Sequence, residues 1–169
     1  MALFIERGYD DVTVADIASR AGLTKRTFFN HFADKREVIF GQSDEFEARI
    51  IDALATADPE LSPLEATVWA YGHGIAMIAD YPELVRARGR LVASSRELQE
   101  RDLMKMASLT AKAAGVLVQR GAPERQALFA AQAGASIFIA AVAAWAAEPE
   151  RGIEPALQDA LAELQAAVV

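Results

Sequence analysis

The sequence predicts an all-α protein, and three observations carry that expectation. Runs of β-branched residues with period-two alternation are missing, and Ala, Leu, Glu, Gln and Arg dominate. Apolar residues recur at helical spacing between Gly and Pro stop signals. With 169 residues, 53% hydrophobic and 24% charged, the chain is long enough for one or two domains and too apolar for disorder. About nine helices are expected from the caps and breakers.

The elements follow in order. Leu3, Phe4 and Ile5 close a first helix, Gly8 terminates it, and Tyr9-Asp10-Asp11 connects onward. The chain opens inside this helix, without the basic segment and long apolar stretch of a signal peptide. Thr13 is an N-cap for a second helix, Val14 to Ala21, with Asp16 placed to complete the cap and Gly22 to end it. Thr24 caps a third helix from Lys25 to about His31, on which Phe28 and Phe32 stand four apart and share the core face. Asp34 caps a long fourth helix expected to run unbroken from Lys35 into the fifties and to end at Asp58-Pro59.

Ser62-Pro63-Leu64-Glu65 combines a cap, a first-turn proline and a capping box, predicting a helix over 62–79. Its Leu64, Val68, Tyr71, Ile75 and Ile78 form one apolar stripe. Tyr81-Pro82 opens a sixth helix, a seventh ends at Gly121, an eighth runs from Pro123-Glu124 to Ala147, and a last one starts near Ile153. The stretch from Gln126 to Ala147 has no charge and could span a bilayer of ~30 Å. Its high Ala content, its Gln132 and Ser136 and the lack of a basic flank argue instead for a close-packed helix, so no membrane partner is expected.

Composition narrows the chemistry. The absence of Cys removes disulfides, thiolate metal sites and catalytic thiols, and fits a cytoplasmic protein. The two histidines, His31 and His73, belong to no cluster with metal-ligand spacing, and neither a G-x-S-x-G pattern nor a phosphate loop is present. An enzyme is therefore not expected, nor a cofactor or a metal. The net charge of −7 by itself opposes nucleic-acid binding, but it is unevenly spread. Residues 1–40 are neutral overall, and within residues 17–36 five basic side chains (Arg20, Lys25, Arg26, Lys35, Arg36) face the single acid Asp34.

That basic segment contains TVADIASRAGLTKRTFFNHF, which has the layout of a helix-turn-helix: a short helix, Gly at the turn, Leu behind it, and a second helix with basic and polar residues. Ile17, Ala21, Leu23, Phe28 and Phe32 are the expected apolar seam, with Ala18 at the helix crossing. From Leu3 to Phe40, ending in Asp34-Lys35, the sequence resembles the TetR family of one-component repressors. The resemblance implies a DNA-binding domain at 1–42 and a helical ligand-binding and dimerisation domain at 43–169. It also implies a homodimer through the last two helices, a palindromic operator as partner, and a small, largely apolar effector that releases the DNA.

Position by position, the resemblance puts Thr13 and Lys35 on phosphates, and Lys25, Arg26, Thr27 and Asn30 within reach of base edges. Thr24 belongs to the same DNA-binding set, and His31 would lie against the backbone. Phe29 stands where the family commonly has Tyr, leaving apolar contact in place of a phosphate-donating hydroxyl. Candidate effector contacts are Trp69, His73, Met77, Met104, Phe129 and Phe138, an apolar set with one polar anchor. Arg88, with Arg86, Arg90 and Arg96, would suit an anionic ligand such as an acyl thioester of coenzyme A. Core packing for the apolar set and a solvated face for the arginines are the plainer alternatives. The alternative function is a helical small-molecule-binding or carrier protein without DNA binding.

Overall fold

The computed structural model describes residues 1–167, and among these it contains helices and turns and no strand. The order is α1 (Ala2–Arg7), α2 (Val14–Arg20), α3 (Lys25–His31), α4 (Glu37–Phe40), α5 (Ser43–Thr56), α6 (Pro63–Ile75), α7 (Pro82–Ser94), α8 (Arg96–Gln119), α9 (Glu124–Ala147), a 3-10 turn (Pro149–Arg151) and α10 (Ile153–Ala167). The expected caps at Thr13, Thr24 and Ser62 are all in place, and Ser62 and Glu65 close a full capping box.

Two boundaries differ from the sequence expectation. The fourth helix is not continuous: α4 is a single turn, and a turn at Gly41-Gln42 separates it from α5. Gly41 weakens the helix and lets the Phe32 ring come close, since a Cβ there would stand 3.4 Å from that ring and 3.1 Å from the Glu37 carbonyl. Asp34 caps the turn before α4, its carboxylate accepting from the Arg36 N–H at 2.8 Å. The helix expected over 62–79 stops at Ile75, and residues 76–80 continue as turns. Gly72 and Gly74 reduce helix propensity near its end, and Pro82 prevents fusion with α7.

Packing forms two cores. The larger gathers α5, α6, α8, α9 and α10 around Tyr71, which stacks on Phe138 at 4.8 Å, with Phe46 against the same Phe138 ring at 5.6 Å. The smaller holds Leu3, Phe4, Tyr9, Val12, Ile39 and Phe40, and Leu91 of α7 and Leu98 of α8 complete it. The corner between α7 and α8 is thus part of the floor on which the N-terminal helices sit.

Helix α9 is a core helix by its packing. It lies against α6, α8 and α10 and buries Ala127, Ala131, Gly134, Ile137, Phe138, Ala141 and Trp145. Its length and apolarity would allow a membrane crossing, but in the fold that character serves close helix approach. Gly134 sets the α6–α9 distance, because a Cβ there would fall 2.3 Å from Cγ2 of buried Thr67. Thr67 cannot swing away freely, since its hydroxyl donates to the Pro63 carbonyl at 2.7 Å. Gly134→Ala is therefore expected to cost about 2 kcal/mol in denaturant unfolding, as overpacking does. Thr67→Ala in the same chain should recover much of that loss, and additive losses in the double variant would show that the two sites do not meet.

Candidate nucleic-acid interface

The helix-turn-helix is built from two seven-residue helices joined at Gly22. Gly22 adopts φ +68°, and the Leu23 and Gly22 N–H groups donate to the Ala18 and Ser19 carbonyls at 2.8 and 3.1 Å. This C-cap needs a left-handed residue, which glycine supplies without strain. At the other end of α2 the Thr13 N–H donates to the Asp16 carboxylate at 2.9 Å while the Asp16 N–H donates to the Thr13 hydroxyl at 3.2 Å. The hydroxyl also donates to that carboxylate, and these bonds hold the Asp16 carboxyl below its usual range.

The seam between α2 and α3 is narrower than expected. Ala18 and Phe28 are buried and Ile17 and Phe32 half-buried, but Leu23 is 47% exposed and Ala21 also faces out. The tight Gly22 cap turns the chain so that Leu23 sits at the rim of the turn rather than under it. Phe28 alone anchors α3 deeply, with Phe32 at 5.2 Å and Phe29 edge-on at 5.4 Å.

On the outer face of α3, Lys25, Arg26, Phe29, Asn30 and His31 are exposed together, with Thr27 half-buried beside them. Thr24 caps the helix, its hydroxyl accepting from the Thr27 N–H at 3.1 Å and bonding the Thr27 hydroxyl at 2.9 Å. Phe29, 55% exposed, is the most prominent apolar side chain there. This face combines donors, acceptors and an apolar ring on one short rigid helix, the mixture that major-groove base edges and thymine methyls require.

The basic patch is smaller than the sequence count. Arg20 is held by Glu6 through two bonds at 3.0 and 3.2 Å, which lower the Glu6 carboxyl and raise the guanidinium. Arg36 bonds Asp34 and pairs with Glu97 of α8 at 3.3 Å, and its bond to Asp34 lowers that carboxyl. Lys35, expected on a phosphate, donates instead to the Tyr9 and Val12 carbonyls at 3.0 and 3.2 Å and lies 4.1 Å over the Tyr9 ring. One of its three donors is left for anything outside. Lys25 and Arg26 enter no ion pair among the described residues, so they are the cations left free on this surface.

Sequence reasoning missed the partners that consume these charges. Glu6 lies fourteen residues before Arg20, and Glu97 sixty-one after Arg36, so only folding brings them together. Glu97 also accepts from the buried Tyr9 hydroxyl at 3.3 Å, and burial first, then Glu97, pushes the phenol pKa up. Beside it, Arg101 pairs with Glu37 at 2.9 Å, adding a second charged link between α8 and the N-terminal helices.

The candidate effector residues do not converge. Phe138 is buried in the larger core, whereas Met104 and Phe129 are exposed on α8 and α9, and Met77 is half-buried in the turns after α6. Trp69 and His73 lie against each other on the outer face of α6, ring centroids 4.2 Å apart and planes inclined by 54°. The arginines do not form a common anion site either: Arg88 pairs with Asp102 at 2.5 Å over the Phe40 ring, Arg96 pairs with Glu100, and Arg86 donates to the Ala146 carbonyl at 2.6 Å.

The role of Lys35 inside the fold can be measured. Lys35→Met keeps the stem, removes the ammonium and strips a charge-assisted donor from two carbonyls, so a loss of about 2 kcal/mol in denaturant unfolding is expected. An unchanged midpoint would show that those carbonyls find water as readily.

With this geometry in view, the family model described as bacterial regulatory proteins, tetR family, matches residues 1–40. The HTH-type transcriptional regulator TcmR of Streptomyces glaucescens is 32% identical over 101 residues, covering 60% of this chain and 44% of that protein. The putative mycofactocin biosynthesis transcriptional regulator MftR of Mycobacterium tuberculosis is 30% identical over 102 residues, covering 57% of this chain and 49% of that protein. The chain spans about half the length of these curated relatives. The helix-turn-helix of the first 40 residues is thus the part of this chain that matches the tetR family of bacterial regulatory proteins.

Proposed function

We propose that the protein is a sequence-specific DNA-binding transcriptional regulator acting as a homodimeric repressor in the cytoplasm. The observation that carries the reading is the exposed face of α3, where Lys25, Arg26, Phe29, Asn30 and His31 stand together on a helix anchored by Phe28. A helix so presented enters the major groove, with Arg26 and Asn30 reading base edges and Lys25, His31 and the Thr13 end of α2 on the backbone. Lys35 contributes its remaining donor and, more, the rigidity of the connection from Tyr9 to Val12.

Dimerisation is supported by α9. Leu128, Phe129 and Ile139 are 46, 58 and 54% exposed along one side, interleaved with exposed Ala140, Ala143 and Ala144. An apolar face with small residues suits a four-helix interface made with α10 of each copy, and it gives Phe129 a role outside any effector pocket. A two-fold dimer places two α3 helices on successive major grooves and so asks for a palindromic operator. A small-molecule effector would release the DNA by favouring a dimer geometry with the wrong spacing, to the extent of its differential affinity.

Binding to the DNA flanking the gene, measured by fluorescence anisotropy at two salt concentrations, tests this. Asn30→Ala or Arg26→Ala should cost ~1–3 kcal/mol and relax base preference, whereas Lys25→Ala should weaken all sequences alike and reduce the salt slope by about one. Equal affinity for flanking and random duplex at matched salt would sink the proposal. Ile139→Arg should give a monomer in sedimentation and lose operator binding together, and a variant that remains dimeric would remove α9 from the interface.

A further inference from the structure

We propose that the groove between α5 and α6 is a binding site for a planar aromatic cation, which names the effector chemistry that the fold offers on its surface. The groove is open to solvent on one side, offers about 470 Å³, and is lined by Glu45, Arg49, Asp52 and Thr56 of α5 and by Trp69 and His73 of α6. By contrast, the cleft between α9 and α10 encloses about 90 Å³, and its Arg151 is paired with Asp159 and Glu148.

Two features decide the ligand class. The first is the aromatic platform. Trp69 is 40% exposed, lines the groove and meets His73 at a tilt of 54°, so its indole offers a flat cation both stacking and cation–π attraction. The second is the sense of the polar groups. His73 Nδ1 lies 3.1 Å from the Trp69 carbonyl, which can only accept, so Nδ1 donates and the uncharged imidazole would keep Nε2 as an acceptor. The Thr56 hydroxyl spends its proton on the Asp52 and Ala53 carbonyls, leaving lone pairs. Glu45 and Asp52 enter no ion pair among the described residues. Two carboxylates, an imidazole nitrogen and a hydroxyl oxygen, all accepting beside an exposed indole, complement a ring that carries N–H donors and positive charge.

Arg49 is the opposing feature, one turn from Glu45 and from Asp52 on the same face of α5. It leaves the lining one charge negative and acts as a competitor for the two carboxylates, so its removal should strengthen cation binding. The site lies on neither α2 nor α3, and its test is therefore separate from that of operator recognition.

The experiment is a titration of the full chain, without DNA, with proflavine as the planar cation and naphthalene-2-sulfonate as the planar anion, read by calorimetry and by tryptophan fluorescence. Trp145 is buried, so quenching by a ligand in the groove reports Trp69. Saturable binding of one proflavine per protomer is expected, with naphthalene-2-sulfonate at least about tenfold weaker. Trp69→Ala should weaken proflavine about tenfold, Trp69→Phe less, and Asp52→Asn or Glu45→Gln about threefold or more, while Arg49→Ala tightens it. These side chains are exposed, so circular dichroism should show each variant folded. The proposal is overturned if the sulfonate binds as well as proflavine, if Trp69→Ala binds like the parent chain, if Arg49→Ala weakens binding, or if no saturable binding occurs.

Discussion

Forty residues in short helices cannot bury a core unaided, because too much of their surface stays exposed on folding. Here the deficit is met by the corner between α7 and α8, whose Leu91 and Leu98 pack with Phe4, Tyr9, Val12 and Phe40. Helix α2 joins that shared core through Ile17, and α3 is carried on α2. The corner carries charged ties as well as apolar contact: Glu97 receives Tyr9 and Arg36, and Arg101 reaches Glu37. The helix-turn-helix is thus seated on the helical domain by several interactions of different kinds, and its orientation is tied to the position of α7 and α8.

The same cluster explains the distribution of charge. A count of basic residues over 17–36 suggests a broad positive surface, yet Arg20, Lys35 and Arg36 are largely consumed in holding short elements together. Short helices make few backbone bonds of their own, and side-chain ties replace the missing cooperativity. What remains free, Lys25 and Arg26, projects from the face that also carries Phe29 and Asn30. Attraction to phosphate is therefore concentrated where base contact would occur.

The larger core follows a different logic. Small residues on α9 allow α6 to approach until Gly134 meets Thr67, and the aromatic rings of Phe46, Tyr71 and Phe138 fill the space beside that contact. Gly74 permits a similar approach of α5 to α6, its missing Cβ leaving room for Ile50 and Phe46. With the centre so filled, an open groove lies on the outer faces of α5 and α6, and the side chains expected to gather around an effector are divided between core and surface.

The helix-turn-helix was legible in the sequence because its signals are local. Thr13, Gly22 and Thr24 act through bonds to residues three to five positions away, and Phe28 and Phe32 share a face by helical period alone. The all-α class and most helix ends were legible for the same reason. The break at Gly41, the capture of Lys35 and the scatter of the candidate effector residues were not, since each depends on residues far along the chain or on a ring filling a particular space. Local hydrogen bonding and periodicity are written in adjacent residues. Which charges are neutralised, and which apolar faces are left open, is decided only when distant helices compete for the same partners.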